Sequence, residues 1–325
     1  MRREGYIFGP VSSRRLGRSL GLDLVPLKVC TMDCIYCEVG RTTRLTVKRK
    51  EYVPTDRVLQ ELQSVLPQVR EVDYITFAGS GEPTLHSRIG ELILRVKELT
   101  GKPVAVLTNG TLLSDRLVRE ELLASDVVLP SLDAATPGVF RLINRPHGSL
   151  NIADIINGLA AFREEYRGQL WLEIMIVKEI NDGPEELQHL KEAVKKIRPD
   201  RVQLNTPVRP PAESYARALT VEELERVRRF FGGGCEVVAV QKTLPLTASP
   251  EDTEGAILAL TARRPVTIEE MTETLGLDWN ELLKMLAQLM ADGKISVRTY
   301  NRRRFYVTAS RGDTESASLG EHWIT

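Results

Sequence analysis

Cys30, Cys34 and Cys37 stand in the run Val29-Cys30-Thr31-Met32-Asp33-Cys34-Ile35-Tyr36-Cys37, a C-x3-C-x2-C pattern. Three thiolates this close in sequence can converge on one face of a tight loop. On a four-iron cluster they leave one iron without a protein ligand. An open iron binds a small molecule, so the count points to chemistry rather than to a closed structural site. The competing reading is a zinc site completed by Cys235. Spacing counts against it, because zinc sites usually pair two short cysteine clips.

Such a loop needs a scaffold. From about residue 20 to 241 the chain alternates short β-branched runs with amphipathic stretches. Strands are expected at 22–25, 73–77, 104–107, 126–129, 170–177 and 201–204, with a seventh at 236–240. Thr55 is expected to cap a helix that sets Val58, Leu59, Leu62 and Leu66 on one face. Ser87 precedes Ile89, Leu92, Ile93 and Val96 at the same helical spacing. Further helices are expected near 114–123, 152–165 and 184–197, and the capping box Thr220-Val221-Glu222-Glu223 opens another. Six βα units in succession predict a parallel sheet, open or curled into a barrel.

The polar motifs favour a curled sheet with one working edge. The cysteine loop follows the first expected strand, Gly79-Ser80-Gly81-Glu82-Pro83 the second, and Thr108-Asn109-Gly110 the third. Ser131-Leu132-Asp133, Lys178-Glu179-Ile180-Asn181-Asp182 and Asn205-Thr206-Pro207 follow the next three. Loops at the C-terminal ends of strands build active sites in barrels and doubly wound sheets. One such loop is ordinary turn chemistry, and six in a row form a pattern.

Beyond residue 244 the organisation changes. A linker is expected at 245–252, three helices at 254–262, 267–275 and 278–292, and a hairpin at 295–300 and 304–308. Three helices and a hairpin resemble a winged helix-turn-helix domain, here over 253–308, with a mobile tail expected at 309–325. Residues 1–244 would then be the barrel with an N-terminal arm.

The 325 residues include 44 basic and 44 acidic ones, so no global charge draws the chain to nucleic acid or a membrane. Four cysteines, three of them clustered, do not make a secreted disulfide framework. The start, Met1-Arg2-Arg3-Glu4-Gly5-Tyr6, lacks the apolar core of a signal peptide, and no segment is apolar for long enough to span a bilayer. The expectation is a soluble cytoplasmic protein.

The cysteine run, with an aromatic at Tyr36 just before the last cysteine, resembles the signature of the radical S-adenosylmethionine (radical SAM) enzymes. The resemblance covers roughly residues 6–242 and implies an α/β fold, a partial (β/α)6 barrel. It implies a [4Fe-4S] cluster held by Cys30, Cys34 and Cys37, with SAM chelating the fourth iron. An electron from the reduced cluster would break a sulfonium C–S bond, giving a 5′-deoxyadenosyl radical that takes hydrogen from a substrate, here unassigned. That electron implies a donor such as flavodoxin or ferredoxin. Tyr36 would lie against the adenine. Gly79, Ser80, Gly81 and Glu82 resemble the glycine-rich motif whose backbone meets the SAM amino group, which approaches a carbonyl only where no Cβ intrudes. Glu82 is either a direct ligand or a loop-orienting group. Ser131 and Asp133 are candidates for the ribose or methionine groups, and Thr108 and Asn109 sit equivalently. Asn181 and Asn205 are further candidates or plain turn residues.

Other positions carry two readings each. Glu173, within a strand, is paired, outward-facing or functional. Arg14, Arg15 and Arg18 either bind a carboxylate or phosphate or form a solvated arm. His147, after Arg145-Pro146, is a proton donor or an unremarkable loop residue. Cys235 reads as a core residue at a strand start.

Phe8-Gly9-Pro10 through Arg18, Gly81-Glu82-Pro83-Thr84-Leu85 and Ser131-Leu132-Asp133 most resemble the branch of wyosine-forming tRNA enzymes. Those enzymes build a tricyclic guanine from pyruvate and a methylated tRNA base, and hold a second cluster on three upstream cysteines. Here no cysteine precedes Cys30. An alternative of another class is an iron–sulfur redox regulator with a DNA-binding C-terminal domain. Between residues 253 and 310, however, 8 basic residues face 7 acidic ones, and the expected third helix is largely apolar. That composition favours a protein or peptide partner over duplex DNA, with Arg302-Arg303-Arg304 able to meet phosphates, including those of RNA.

Overall fold

A computed structural model describes residues 5–13, 15–69, 71–238 and 253–309. Arg14, the end of the strand expected at 236–240, the expected linker and the tail beyond residue 309 lie outside the described residues. The chain divides into two compact units that part near residue 245.

The first unit begins with an antiparallel hairpin, β1 (Ile7–Ser13) and β2 (Gly17–Leu22). A small parallel pair, β3 (Val29–Cys30) and β4 (Arg44–Leu45), brackets the cysteine loop. There follow α1 (Thr55–Val65), β5 (Tyr74–Phe77), α2 (Ile89–Thr100), β6 (Val104–Thr108) and α3 (Arg116–Leu122). Then come β7 (Val127–Pro130), α4 (Pro137–Ile143), α5 (Ile152–Glu165), β8 (Gln169–Met175), α6 (Pro184–Ile197), β9 (Arg201–Asn205), α7 (Val221–Phe231) and β10 (Cys235–Val237). The eight-stranded sheet runs β1-β2-β5-β6-β7-β8-β9-β10 and is parallel from β2 onward. Such a β/α succession is the partial barrel expected from the motif order.

Period-two alternation decides which side chains face the helices. In β8, Leu170, Leu172 and Ile174 are fully buried in the large core beneath the helices. Trp171, on the opposite face, joins Ala105, Val127 and Leu129 in a second, smaller cluster. Leu16, from the β1–β2 turn, completes that cluster. On α2, Ile89, Leu92, Ile93 and Val96 are all fully buried, as their spacing predicts.

Two local expectations need correction. The first strand of the parallel run is Gly17–Leu22, not 22–25. It lacks β-branched residues, and pairing with β5, from Ser19 opposite Tyr74 to Leu22 opposite Phe77, decides its position instead. Gly21 has its own reason: a Cβ there would run into the Phe8 ring from β1. Nor does the Thr55 side chain cap α1. Pro54 is the capping residue, the Thr55 amide donates to Glu51 Oε1 at 2.7 Å, and Thr55 Oγ1 is buried without a partner. The capping box of α7 does form, Thr220 and Glu223 each bonding the other's backbone amide.

The second unit has α8 (Thr253–Thr261), α9 (Ile268–Leu275), α10 (Trp279–Ala291) and the antiparallel ribbon β11 (Ile295–Tyr300) and β12 (Arg303–Thr308). Its core includes Ile257, Met271, Leu282, Leu286 and Leu289. One face of α10 is apolar but uncovered: Trp279, Leu283 and Met290 are 41%, 41% and 44% exposed. No helix among the described residues is long and apolar enough to cross a membrane.

Candidate active site

The cysteine loop is fastened to three neighbouring segments by its own backbone. Toward the β5–α2 loop, Lys28 N donates to Ser80 O (2.8 Å) and Glu82 N to Val29 O (3.1 Å). Toward the segment after α4, Asp33 N donates to Asn144 O (3.0 Å), Ile35 N to Ile143 O (3.0 Å) and His147 N to Thr31 O (2.9 Å). Toward the β9–α7 loop, Glu213 N donates to Ile35 O (2.9 Å) and its carboxylate takes Arg145 Nη1 (2.8 Å). His147 therefore serves through its backbone, and its ring nitrogen Nδ1 lies 2.9 Å from Ser149 Oγ.

Cys30, Cys34 and Cys37 are half-buried free thiols. Each sulfur faces one N–H donor from a different place: Asn109 Nδ2 at 3.5 Å from Cys30, Asn144 Nδ2 at 3.4 Å from Cys34, and Lys28 Nζ at 3.1 Å from Cys37. Burial, with the Glu82 charge adding, pushes the Cys30 thiol up to about 12. Burial and the Asp133 charge also raise Cys34. Lys28 is only 4% exposed and holds a left-handed backbone angle, φ 58°. Burial works against its charge, but the three sulfurs, Cys37 foremost, outweigh that and raise its pKa. A buried ammonium requires a partner close by, and Cys37 Sγ, 3.1 Å away, is the nearest one.

Beside Cys30 lies a cavity of about 240 Å³ at the C-terminal ends of β5, β6, β7 and β8. Gly79, Gly81, Glu82, Thr108, Asn109, Ser131 and Glu173 line it with the cysteine. Glu82 is buried, and its carboxylate accepts from Thr84 N (3.0 Å), Thr84 Oγ1 (2.6 Å), Thr108 Oγ1 (2.6 Å) and Asn109 N (2.7 Å). Burial pushes its pKa up and those donors oppose it. Four protein donors thus meet the Glu82 carboxylate and tie the β5 loop to the β6 loop.

The remaining candidates divide between cavity and support. Ser80 is buried away from the cavity, its amide 3.1 Å from Asp23 Oδ1 and its hydroxyl on Oδ2. Asp133 is 2% exposed and accepts from Tyr36 OH, from Asn144 Nδ2 (2.7 Å) and from Met175 N (2.9 Å). Burial raises it to about 6. Tyr36 and Asp133 thus brace each other, and through Asn144 they reach Cys34. Asn205 donates to Glu173 Oε1 (2.9 Å), and Arg15 pairs with the other Glu173 oxygen. Arg18 pairs with Glu71, so the two described arginines of the arm both have carboxylate partners. Asn181, fully buried, bonds three backbone groups around Met175 and Asp133. Gly81, in the cavity lining, has a packing role as well. A Cβ there would fall inside the Val29 carbonyl, so the glycine makes room for the cysteine strand.

Two contributors escaped sequence reasoning. Lys28 had a readable signal, a lone charge in the apolar run Val25-Pro26-Leu27-Lys28-Val29. Asn144 had none, because an asparagine after a helix reads as an ordinary C-cap, which it also is.

The donor set fits an iron–sulfur cluster better than one metal ion. Among the described residues no three His, Cys, Asp or Glu side chains lie close enough together to hold a single ion. A four-iron cube takes its thiolates at separate corners, farther apart than the ligands of one zinc. Cys235, the proposed fourth zinc ligand, is buried at the start of β10 beside Val202, in the helix-side core. Burial there raises it to about 12.

Comparison with known proteins agrees with this geometry. Residues 24–194 match the family model of the radical SAM superfamily. A UPF0026 protein of Methanocaldococcus jannaschii is 32% identical over 92% of this chain and 95% of its own length. A protein of Brachyspira hyodysenteriae named GTPase Obg is 37% identical over 91% of this chain, but the chain spans only 44% of that relative. The crystal structure of a radical SAM methyltransferase from Sphaerobacter thermophilus shares the fold, with a TM-score of 0.51 at 20% identity over 67% of this chain and 65% of the other. From the matched cysteine loop to the parallel sheet behind it, the chain belongs to the radical SAM superfamily of enzymes and, within it, to the UPF0026 proteins.

Proposed function

We propose that Cys30, Cys34 and Cys37 hold a [4Fe-4S] cluster and that the adjoining cavity receives SAM, whose reductive cleavage starts hydrogen abstraction from a substrate. Radical SAM enzymes bind both groups and need a reductant. One observation carries the reading: three free thiols, each with its own N–H donor, border a cavity at the C-terminal strand ends. When bound, the pair supplies a carbon radical able to break a C–H bond. This chain's residues hold and shield it. Gly79, Thr108, Asn109 and Ser131 offer small or polar cavity walls. Glu82 fixes two of the loops that carry them. Glu173, tied to Arg15 and Asn205, presents the acidic group of the lining farthest along the sheet from β5. The test is anaerobic reconstitution followed by incubation with dithionite and SAM. 5′-Deoxyadenosine should accumulate above the rate of a Cys30→Ala control, and equal traces in both would defeat the proposal.

Lys28 adds a measurable property. Its ammonium lies against a thiolate and favours the more negative, reduced cluster. A charge so near is worth a few kcal/mol at an effective dielectric of about 20, or roughly 100 mV for one electron. Lys28→Met should therefore lower the midpoint potential by about that amount in an EPR-monitored titration, while Lys28→Arg should stay near the wild type. An unshifted potential in the Met variant would show that this charge is screened.

The second unit is proposed to bind protein or peptide. Trp279, Leu283 and Met290 form an exposed apolar stripe where a DNA-reading helix would carry Arg, Lys, Asn or Gln. The three arginines at the β11–β12 turn are exposed and can meet RNA phosphates weakly. The full-length protein should give no sequence-specific duplex footprint at physiological salt. A footprint that survives excess competitor DNA would return the regulator reading to the front.

A further inference from the structure

The segment from Gly40 to Lys50 contains five basic residues and no acidic one, in a chain of zero net charge. It is stitched directly to the cysteine loop. Arg44 N donates to Lys28 O (3.1 Å), Thr46 N to Cys30 O (2.9 Å), and Thr42 Oγ1 to Met32 O (2.7 Å). β4, at its centre, pairs with β3, so Leu45 stands opposite Cys30. Arg41, Arg44, Lys48 and Lys50 are exposed. Arg41 reaches Glu213, and Lys50 lies over the Tyr52 ring at 4.8 Å. Among the described residues no carboxylate pairs with Arg44, Lys48 or Lys50. Only Arg49 turns inward, to Glu121 and the Thr84 carbonyl. Two apolar side chains stand out of the same paired segments, Leu27 at 47% and Leu45 at 42% exposure.

We infer that this strip is the docking surface for the electron donor, a small acidic redox protein with a one-electron carrier near its surface. The inference rests on the proposed cluster. Exposed cations steer an acidic partner, and leucines among them give the contact an apolar centre, the usual anatomy of a transient protein interface. Docking there brings the carrier to the strand pair that holds Cys30. One electron then passes to the cluster: the donor is oxidised by one electron and the cluster reduced by one, with no bond made or broken. A nucleic acid would also meet the charges, but Leu27 and Leu45 give it nothing to read.

Stopped-flow mixing of reconstituted enzyme with fully reduced flavodoxin tests this. The wild-type reduction rate should fall steeply as salt rises. The double charge reversal of Arg44→Glu with Lys48→Glu should lose about tenfold or more in that rate at low salt, together with its salt dependence. Arg44→Lys with Lys48→Arg should keep both. With excess dithionite, all three proteins should form 5′-deoxyadenosine at the same rate, which separates docking from chemistry. Unchanged flavodoxin kinetics in the reversal variant would overturn the surface, and so would an equal loss with both reductants. Salt-sensitive binding of bulk tRNA, lost in the reversal variant while flavodoxin kinetics persist, would assign the strip to RNA instead. Absence of dithionite-driven product in the wild type would count against the cluster reading itself, whereas flavodoxin association followed by fluorescence would still report on the strip.

Discussion

Alanine at any one of Cys30, Cys34 or Cys37 will cost the reconstituted protein its stable iron, whereas Cys235→Ser will load like the wild type. The wild type is expected to take up about four irons per chain, with three protein thiolates and one open position. Removing one thiolate leaves a second iron open on a cluster the chain then grips at two points. The surroundings give no substitute, because among the described residues no other His, Cys, Asp or Glu combines into a metal-binding group. Cys235 is buried at the start of β10 opposite Val202, and its loss removes only packing, at about 1 kcal/mol. Iron and acid-labile sulfide per chain, with the visible spectrum, read the result. Tight zinc with no iron uptake, or loss of metal in the Cys235 variant, would restore the zinc reading.

The sequence was most legible where one residue type admits few conformations or one spacing admits one face. The helices over 152–165 and 184–197 appear at the expected residues because each has a sustained apolar stripe and clear ends. The motifs at the strand ends were visible for the same reason: Gly, Ser, Asn and Thr interrupt β-branched runs. What stayed hidden depends on partners far away in the chain. β2 is positioned by β5, some 55 residues on, and not by its own composition. Asp133 was read as a ligand group from its carboxylate at a strand end, and Tyr36 from the family resemblance. Their mutual bond across 97 residues joins the cysteine loop to the end of β7, which no local pattern encodes. Asn144 reaches Cys34 across 110 residues, a contact that no local pattern encodes. Glu82 accepts four donors from two loops, contacts that its place in the sequence does not announce.

Gly81→Ala should lose the metal site as well as SAM binding. If the glycine served to admit the ligand amine, an added methyl would leave the cysteine loop intact and block only SAM. The geometry requires something else. The methyl would sit within the carbonyl of Val29, the first residue of β3, whose second residue is Cys30. That carbonyl also accepts the Glu82 amide at 3.1 Å, so the β5–α2 loop and the cysteine strand must part together. Backbone cannot rotate aside as a long side chain can, and overpacking of this kind costs about 1–3 kcal/mol. Iron content after reconstitution should fall well below that of the wild type, and a thermal melt of the apoprotein should shift down by several degrees. Gly148→Ala is the control, because a Cβ there meets nothing within 4 Å. Iron content and melting temperature equal to the wild type, with SAM binding alone abolished, would return Gly81 to the ligand.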